Sequence, residues 1–348
     1  LNTDVVALPL FGRLKLSRQS IWYQTVVPGG SVALCLVISF IFWAQPDAFA
    51  AILVLPRWLW ILPGLILALL GLTRQRKRIA GMAILLWFLY AILFVQEFRS
   101  LVRSRAQATF EAGRDGSAVL RVISLNCNGG NELAASEVAD FHPDLVLFEE
   151  SPLRPAVKSM ATRLVGPEAE SHCGSDVSII ARGQLTPMPV DNPESAPFAH
   201  ARIQFASGVM AEVFVVRLQP YNIRADLWSP DCWRKQCAIR NLQRSQFEWI
   251  GREIKKIPED VPIILGGDFN LPAGDKLFRI LEPRIRDTFR LAGRGWGDTL
   301  DNDIPVLRID QIWCDAHFRA VSTAAHRTVN SDHRMVVCEL LCLPSAKK

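Results

Sequence analysis

The chain lacks any CxxC pair and any Cys/His spacing suited to zinc. It has no internal repeat and no low-complexity run. Beyond residue 105 it also lacks a basic excess. Residues 1–105 hold 11 Lys/Arg against 3 Asp/Glu, whereas residues 106–348 hold 28 against 31. Non-specific affinity for nucleic acid comes from neutralising phosphates, so the C-terminal part is not a basic nucleic-acid binder. The eight cysteines say little. Cys35 sits in an apolar run, and Cys232 and Cys237 are close enough for a local disulfide in an oxidising compartment.

What the N-terminal part does have is long apolar stretches. Three runs, at about 26–44, 50–72 and 79–95, each approach the roughly 20 residues that cross a bilayer. No small-residue cleavage pattern follows the first, which argues against a signal peptide. Residues 1–105 therefore read as a membrane anchor of three transmembrane helices. The second is the weakest, because Pro56, Arg57 and Pro63 interrupt it. Arg13, Lys15 and Arg18 precede the first run, and Arg74 to Arg78 fill the second loop. The positive-inside rule then places the N-terminus and that loop in the cytoplasm. Three crossings deliver the C-terminal domain to the extracytoplasmic side of a multi-pass cell-membrane protein. Arg99, Arg103 and Arg105 weigh mildly against that orientation.

Residues 106–117 read as a polar linker, and a domain of residues 118–348 follows. Leu120–Gly130 starts as a β-branched strand and ends in a turn that leaves Asn126 at the strand end. Asn131–Phe141 reads as a capped helix, and Asp144–Ser151 as a buried strand running into Glu149 and Glu150. Strands are expected at Val177–Ala181, His200–Phe205 and Val213–Leu218. Gln219–Lys235, which carries Trp228 and Trp233, has no period and reads as a functional loop. Cys237–Ile257 has helical spacing with basic residues near its end. A helix near Gly274–Leu281 and strands at Leu307–Asp315 and Ser331–Leu341 complete the domain. Strands and helices alternate, yet several links have hairpin length, so two packed sheets with helices outside are expected.

One stretch organises the rest, VPIILGGDFN at Val261 to Asn270. An apolar strand is closed by two glycines, with Asp268 and Asn270 at its mouth. Two residues apart at a strand end, they point the same way. Alone this is ordinary turn chemistry. Five strand-end motifs stand in order: Asn126 in LNCN, Glu150 in LFEES, Asp268 and Asn270 in GGDFN, Asp310 in RIDQI, and Asp332 with His333 in SDH.

This ordered set, spanning about residues 118–342, resembles the endonuclease/exonuclease/phosphatase superfamily. The resemblance implies an α/β fold, a four-layer sandwich of two mixed sheets flanked by helices, with the site at the mouth between the sheets. It implies Glu150 as the principal metal ligand, with Asn126 shaping that site and Asp332 as a further ligand. Asp268 would orient or deprotonate the attacking water, and Asn270 would hold a phosphate oxygen. Asp310 would fix the tautomer of His333, which would donate to the phosphate. Oxygen ligands of this kind suit Mg²⁺, with Mn²⁺ as substitute. The residue types fit independently, since phosphate-ester hydrolysis needs a cation, a positioned water and donors to the phosphoryl oxygens.

Two departures stand out. Where many members have a His at the end of the strand over Val213–Leu218, this chain has Arg217, which cannot act as an acid but can clamp a phosphate oxygen. Glu149 occupies a place where Gln is common. The expected function is a membrane-anchored, Mg²⁺-dependent phosphoesterase of the nuclease, phosphatase or phosphodiesterase type. Its expected partners are a phosphate-ester substrate and the lipid bilayer, with no protein partner. The competing expectation is an inactive, membrane-bound binding protein in which Arg217 marks decay.

Overall fold

The computed structural model describes residues 18–72, 77–101, 103, 118–221, 223–224 and 226–343. The linker expected at 106–117, the basic residues Arg13 and Lys15, and Arg74 and Arg76 of the second loop lie outside the described residues.

The described residues fall into two compact units. The first draws on α1 (Arg18–Ala44) as far as Phe40, on α3 (Ile61–Leu70) and on α4 (Lys77–Phe94). Small residues let these helices approach. The Gly64 backbone lies against the Trp87 ring, so that a Cβ there would stand 2.0 Å from a ring carbon. Ser31 Oγ donates to Gly64 O at 2.7 Å and accepts from Trp87 Nε1 at 3.1 Å. Ala68, Ala80 and Ala83 are fully buried, while Leu36, Phe40, Ile66, Phe88 and Leu93 face outward.

The second run expected to cross a bilayer, 50–72, is not one helix. It is broken around Pro56 into the segments Asp47–Leu53 and Arg57–Leu70. Its first part, with α2 (Ala50–Leu53), belongs to the second unit, which comprises Ile41–Arg57 and Val95 onward. Residues Ala50 to Leu55 are buried there. Two helices, Thr25–Ala44 and Lys77–Phe94, are each long and apolar enough to span a bilayer. Polar residues fix the stretch: Asp47 pairs with Arg240 and Arg244, and Arg57 donates to Gly274 O at 2.9 Å. The short α5 (Glu97–Leu101) joins this unit through Ser100 Oγ, which donates to Gly295 O at 2.6 Å.

The rest of the second unit is built on β1 (Val119–Asn126), β2 (Leu145–Glu149), β3 (Ala169–Cys173), β4 (Val177–Pro187), β5 (Phe198–Phe205), β6 (Met210–Arg217), β7 (Ile263–Asp268), β8 (Arg286–Asp287), β9 (Asp310–Cys314), β10 (Phe318–His326) and β11 (Met335–Cys342). They form one mixed sheet in the order β10-β11-β1-β2-β4-β5-β6-β7-β9-β8, with β3 on β4. The two expected sheets are the halves of this curled sheet. The long β4 joins them, pairing with β2 before Arg182 and with β5 from Gly183 on. Strand β10 and strand β3 carry no separate signal in the sequence and were not expected.

The halves pack on each other through Leu120, Leu147, Ile179, Val213, Ile264 and Cys338. One outer face is covered by α6 (Glu132–Ser136), a 3₁₀ turn at Glu137–Phe141 and α7 (Arg154–Val165), the last placing Val157, Met160 and Leu164 on Phe148 and Ile123. The other is covered by α8 (Pro230–Lys256), a 3₁₀ turn at Lys276–Ile280 and α9 (Thr288–Ala292). On α8, Phe247, Ile250 and Ile254 recur at helical spacing and pack on Phe214, Leu265 and Phe269. Each such buried side chain contributes about 1.5–3 kcal/mol. Helix α8 begins seven residues before the expected start, with Pro230 in its first turn. Cys232 and Cys237 therefore both lie on α8 and are free thiols, not a disulfide.

Candidate active site

The parallel strands β1 and β2 end level with one another, Asn126 beside Glu149. In the other half β6 and β7 do the same, Arg217 beside Asp268, and Asp268 faces Asp310 across β7 and β9. Curling the sheet brings these ends to one mouth. The glycines of GGDFN permit it. Gly267 has φ +144° and lies so close to β6 that a Cβ would meet Val216 O at 2.0 Å.

The turn after β1 is built onto the end of β2. Cys127 N donates to Glu149 O and Gly130 N to Glu150 O, each at 2.8 Å. Glu149, the last residue of β2, points between the two halves and is fully buried. Its Oε1 accepts from Ser124 Oγ at 3.1 Å and its Oε2 has no partner. Burial first, then the charges of Asp310 and Asp268, push its pKa well up. Burial and the neighbouring carboxylates thus disfavour the ionised form of Glu149. Glu150 takes φ +44°, which turns its carboxylate the other way, to the opening. Burial raises the Glu150 pKa, but Arg217, Asn126 and the Gly129 N–H outweigh it and hold it low.

Asn126 ties the two halves of the site together. Its Nδ2 donates to Glu150 Oε1 at 3.2 Å and to Asp268 Oδ2 at 3.1 Å. Its Oδ1 accepts from Asn128 N at 3.0 Å. Asp268 also accepts from Asn270 N at 2.8 Å and from Asn270 Nδ2 at 3.0 Å. The same Nδ2 donates to Leu218 O at 3.1 Å. Both amide protons of Asn270 are therefore engaged within the protein, where the resemblance had it holding a phosphate oxygen. Here it clamps Asp268.

Asp310 Oδ2 lies 2.9 Å from His333 Nδ1, the pairing expected from RID and SDH. The loop before β11 sets the ring: His333 N donates to Ser331 Oγ at 3.0 Å, and Ser331 Oγ donates to Asn126 O at 2.7 Å. Asp310 Oδ1 is buried without a partner. Ligand-capable atoms of Asp268, Asp310 and His333 lie within 4.8 Å of one another. Burial raises the Asp268 pKa, the Asp310 charge adds to it, and the group stands at about 6. For His333 burial works downward, but Asp310, Asp268 and Asp332 overcome it and lift the ring to about 10. Asp332 itself is exposed and is not in this buried trio.

Arg217 does not face open space. Its Nη2 donates to Glu150 Oε1 at 2.7 Å and its Nη1 to Asp176. A guanidinium spent on two carboxylates is a different arrangement from the phosphate clamp expected of it. Two residues of the site escaped the sequence. Asp176 lies in a turn with no motif. Tyr221 lies in the loop after β6, and its hydroxyl is buried without a partner. Burial, then Asp268, Asp310 and Asp298, push its pKa well up, so the phenol stays protonated beside these carboxylates. The QPYN run after Arg217 was the available signal. Gln243 holds this loop to the GGDFN end, donating to Gln219 O at 2.9 Å and Asn270 O at 2.8 Å.

A family model described as Endonuclease/Exonuclease/phosphatase family matches residues 123–333, from β1 to His333. The chain belongs to this family. Its members are typically metal-dependent phosphoesterases. No curated protein matches the chain by sequence. Among solved structures, a family protein from Bacteroides thetaiotaomicron is similar at TM-score 0.51 and 14% identity, over 65% of this chain and 98% of that one. It supports the fold. A mannosyl-6-phosphatase of the same organism is similar at TM-score 0.49 and 15% identity, over 64% and 99%. A D. rerio TDP2 humanized by 14 mutations is similar at TM-score 0.49 and 20% identity, over 64% and 98%.

The donor set fits a divalent cation. The carboxylates of Glu150, Asp176, Asp268 and Asp310 meet the two cations Arg217 and His333, which leaves an excess of negative charge. Burial is the first cause of the raised Asp268 pKa, and the Asp310 charge adds to it. A protonated His333 has no free lone pair to offer a metal. The oxygens around Glu150 are the better seat for a hard ion.

Proposed function

We propose that the chain is a membrane-anchored, Mg²⁺-dependent phosphoesterase. The observation that carries the reading is the junction at Asn126, which couples the carboxylate at the mouth, Glu150, to the buried pair of Asp268 and the Asp310–His333 couple. Bound at Glu150, the ion would offset charge on the phosphoryl oxygens. Asp268, standing near 6, takes a proton from the attacking water close to neutral pH. Asn270 and Asn126 fix the carboxylate for that task. His333, held as imidazolium by Asp310, donates to a phosphoryl oxygen. The unpartnered Tyr221 hydroxyl supplies a second donor. Full-length protein in detergent should hydrolyse a phosphate ester with Mg²⁺ or Mn²⁺ and stop with chelator. Glu150→Gln should lose activity and regain part of it at high metal. Activity that survives chelator would sink the metal assignment.

The Arg217–Glu150 ion pair favours a second reading, an inactive binding protein, because the guanidinium occupies the carboxylate an ion needs. No turnover on any ester at any metal concentration would select it.

Support for the anchor comes from the first unit, where small residues face inward and large apolar side chains face out. That inversion suits lipid. With the basic residues before the first span and at Arg74 to Arg78, it favours a catalytic domain outside the cytoplasm. Protease added to right-side-out vesicles should cut the domain. Protection until the vesicles are lysed would reverse the topology.

A further inference from the structure

Beside the catalytic mouth lies a groove that the chemistry above leaves unused. A cavity of about 380 Å³ begins at Ser151 and Pro152, directly after Glu150. It adjoins one of about 730 Å³, and the two share Arg154, Cys173, Gly174 and Ser175 in their walls. Arg154 and Lys158 stand one turn apart on α7, so both present charge to the same side. Both are exposed, and among the described residues neither forms an ion pair. The opposite wall includes Met188, Val190 and Phe198. One carboxylate, Glu194, also borders the groove. Burial, then the Arg154 charge, lowers the His172 pKa, which leaves Arg154 and Lys158 as the groove's cations. Elsewhere around the mouth the arginine is spent: Arg217 is engaged by Glu150 and Asp176. Two free cations at the side of a phosphoesterase centre, in a domain with no basic excess, are suited to an anion that extends from that centre.

We infer that the groove binds a second phosphate of the substrate, attached beyond the scissile ester, through Arg154 and Lys158. The inference rests on the phosphoesterase reading. Its substrates therefore carry at least two phosphates, as a nucleotide strand or a phosphorylated lipid headgroup does. Arginine offers a two-pronged grip on phosphate, and Lys158 adds a point charge.

Two matched substrate pairs test this with full-length protein in detergent. One is thymidine 5′-(4-nitrophenyl phosphate) with and without a 3′-phosphate. The other is glycerophosphoinositol with and without a 4-phosphate. Wild-type protein should favour the doubly phosphorylated member of at least one pair by about tenfold in kcat/KM, the worth of a charge-assisted contact. Which pair responds identifies the source. Arg154→Ala/Lys158→Ala should abolish the preference by raising KM for that member alone. Equal kcat/KM within both pairs for wild type, or equal losses on both members in the variant, would overturn the inference. Calorimetry with inorganic phosphate separates the two readings, since it needs no turnover. Phosphate bound by wild type and not by the double variant supports the groove even if no ester is cleaved. Wild type that does not bind phosphate refutes it, whatever the esterase result.

Discussion

Replacing Asp310 with Asn removes the charge that keeps His333 protonated. The ring stands at about 10 although burial opposes its charge, and Asp310 is the largest cause holding it there. Without that carboxylate, burial is met only by Asp268 and Asp332, and the pKa falls toward its ordinary value of about 6.5. At pH 8 the protonated fraction then drops from about 99% to about 3%, roughly thirtyfold. The variant also loses the acceptor that orients Nδ1, so the full loss in kcat/KM should reach about 10²–10⁴-fold. The sign can be checked independently of the size. In the proposed mechanism His333 is a donor, so activity is lost as pH rises through its pKa, and a lower pKa moves that loss to lower pH. Asp268, the base of the proposed mechanism, stands at about 6 through burial and because Asp310 repels its charge. Its pKa falls as well, so activity appears at lower pH on the acid side. The whole pH profile should therefore shift downward. The assay is kcat/KM from pH 5 to 10 at saturating metal, with circular dichroism to confirm the fold. A variant within threefold of wild type at pH 8, with its alkaline limb unmoved, would refute the assignment of His333 as donor.

Arg217→Ala should lower the metal concentration for half-maximal activity, because the guanidinium holds Glu150, the carboxylate proposed to seat the ion. An unchanged metal dependence would show that the pair does not compete with the ion. Tyr221→Phe removes one hydroxyl from the site and should lower kcat about 10–100-fold with little change in melting temperature. Wild-type kcat in that variant would exclude the phenol as a donor.

Much of the site was legible because its residues close strands. A strand end with an acid or amide reads in a single line of sequence, so Asn126, Glu150, Asp268, Asp310 and His333 were each visible, and their order gave the family. Local patterning marked the core of α8 as well, since Phe247, Ile250 and Ile254 repeat at helical spacing.

Other features depend on neighbours distant in sequence. Apolar runs look alike whether lipid or protein covers them, so the stretch from Ala50 to Leu55 read as part of a span. Its burial in the second unit goes with Asp47 meeting Arg240, 193 residues away. The single curled sheet depends on β4 pairing with β2 along one half and β5 along the other, which no local pattern encodes. The role expected of Asn270 came from the resemblance and that of Arg217 from its type, yet the Asn270 amide and both terminal nitrogens of Arg217 donate to Asp176, Glu150, Asp268 and Leu218 O. Sequence determined which groups reach the mouth, because strand alternation is local. Tertiary structure decided which of them remain free for a ligand, because hydrogen bonds and charges are allotted only when the strands meet.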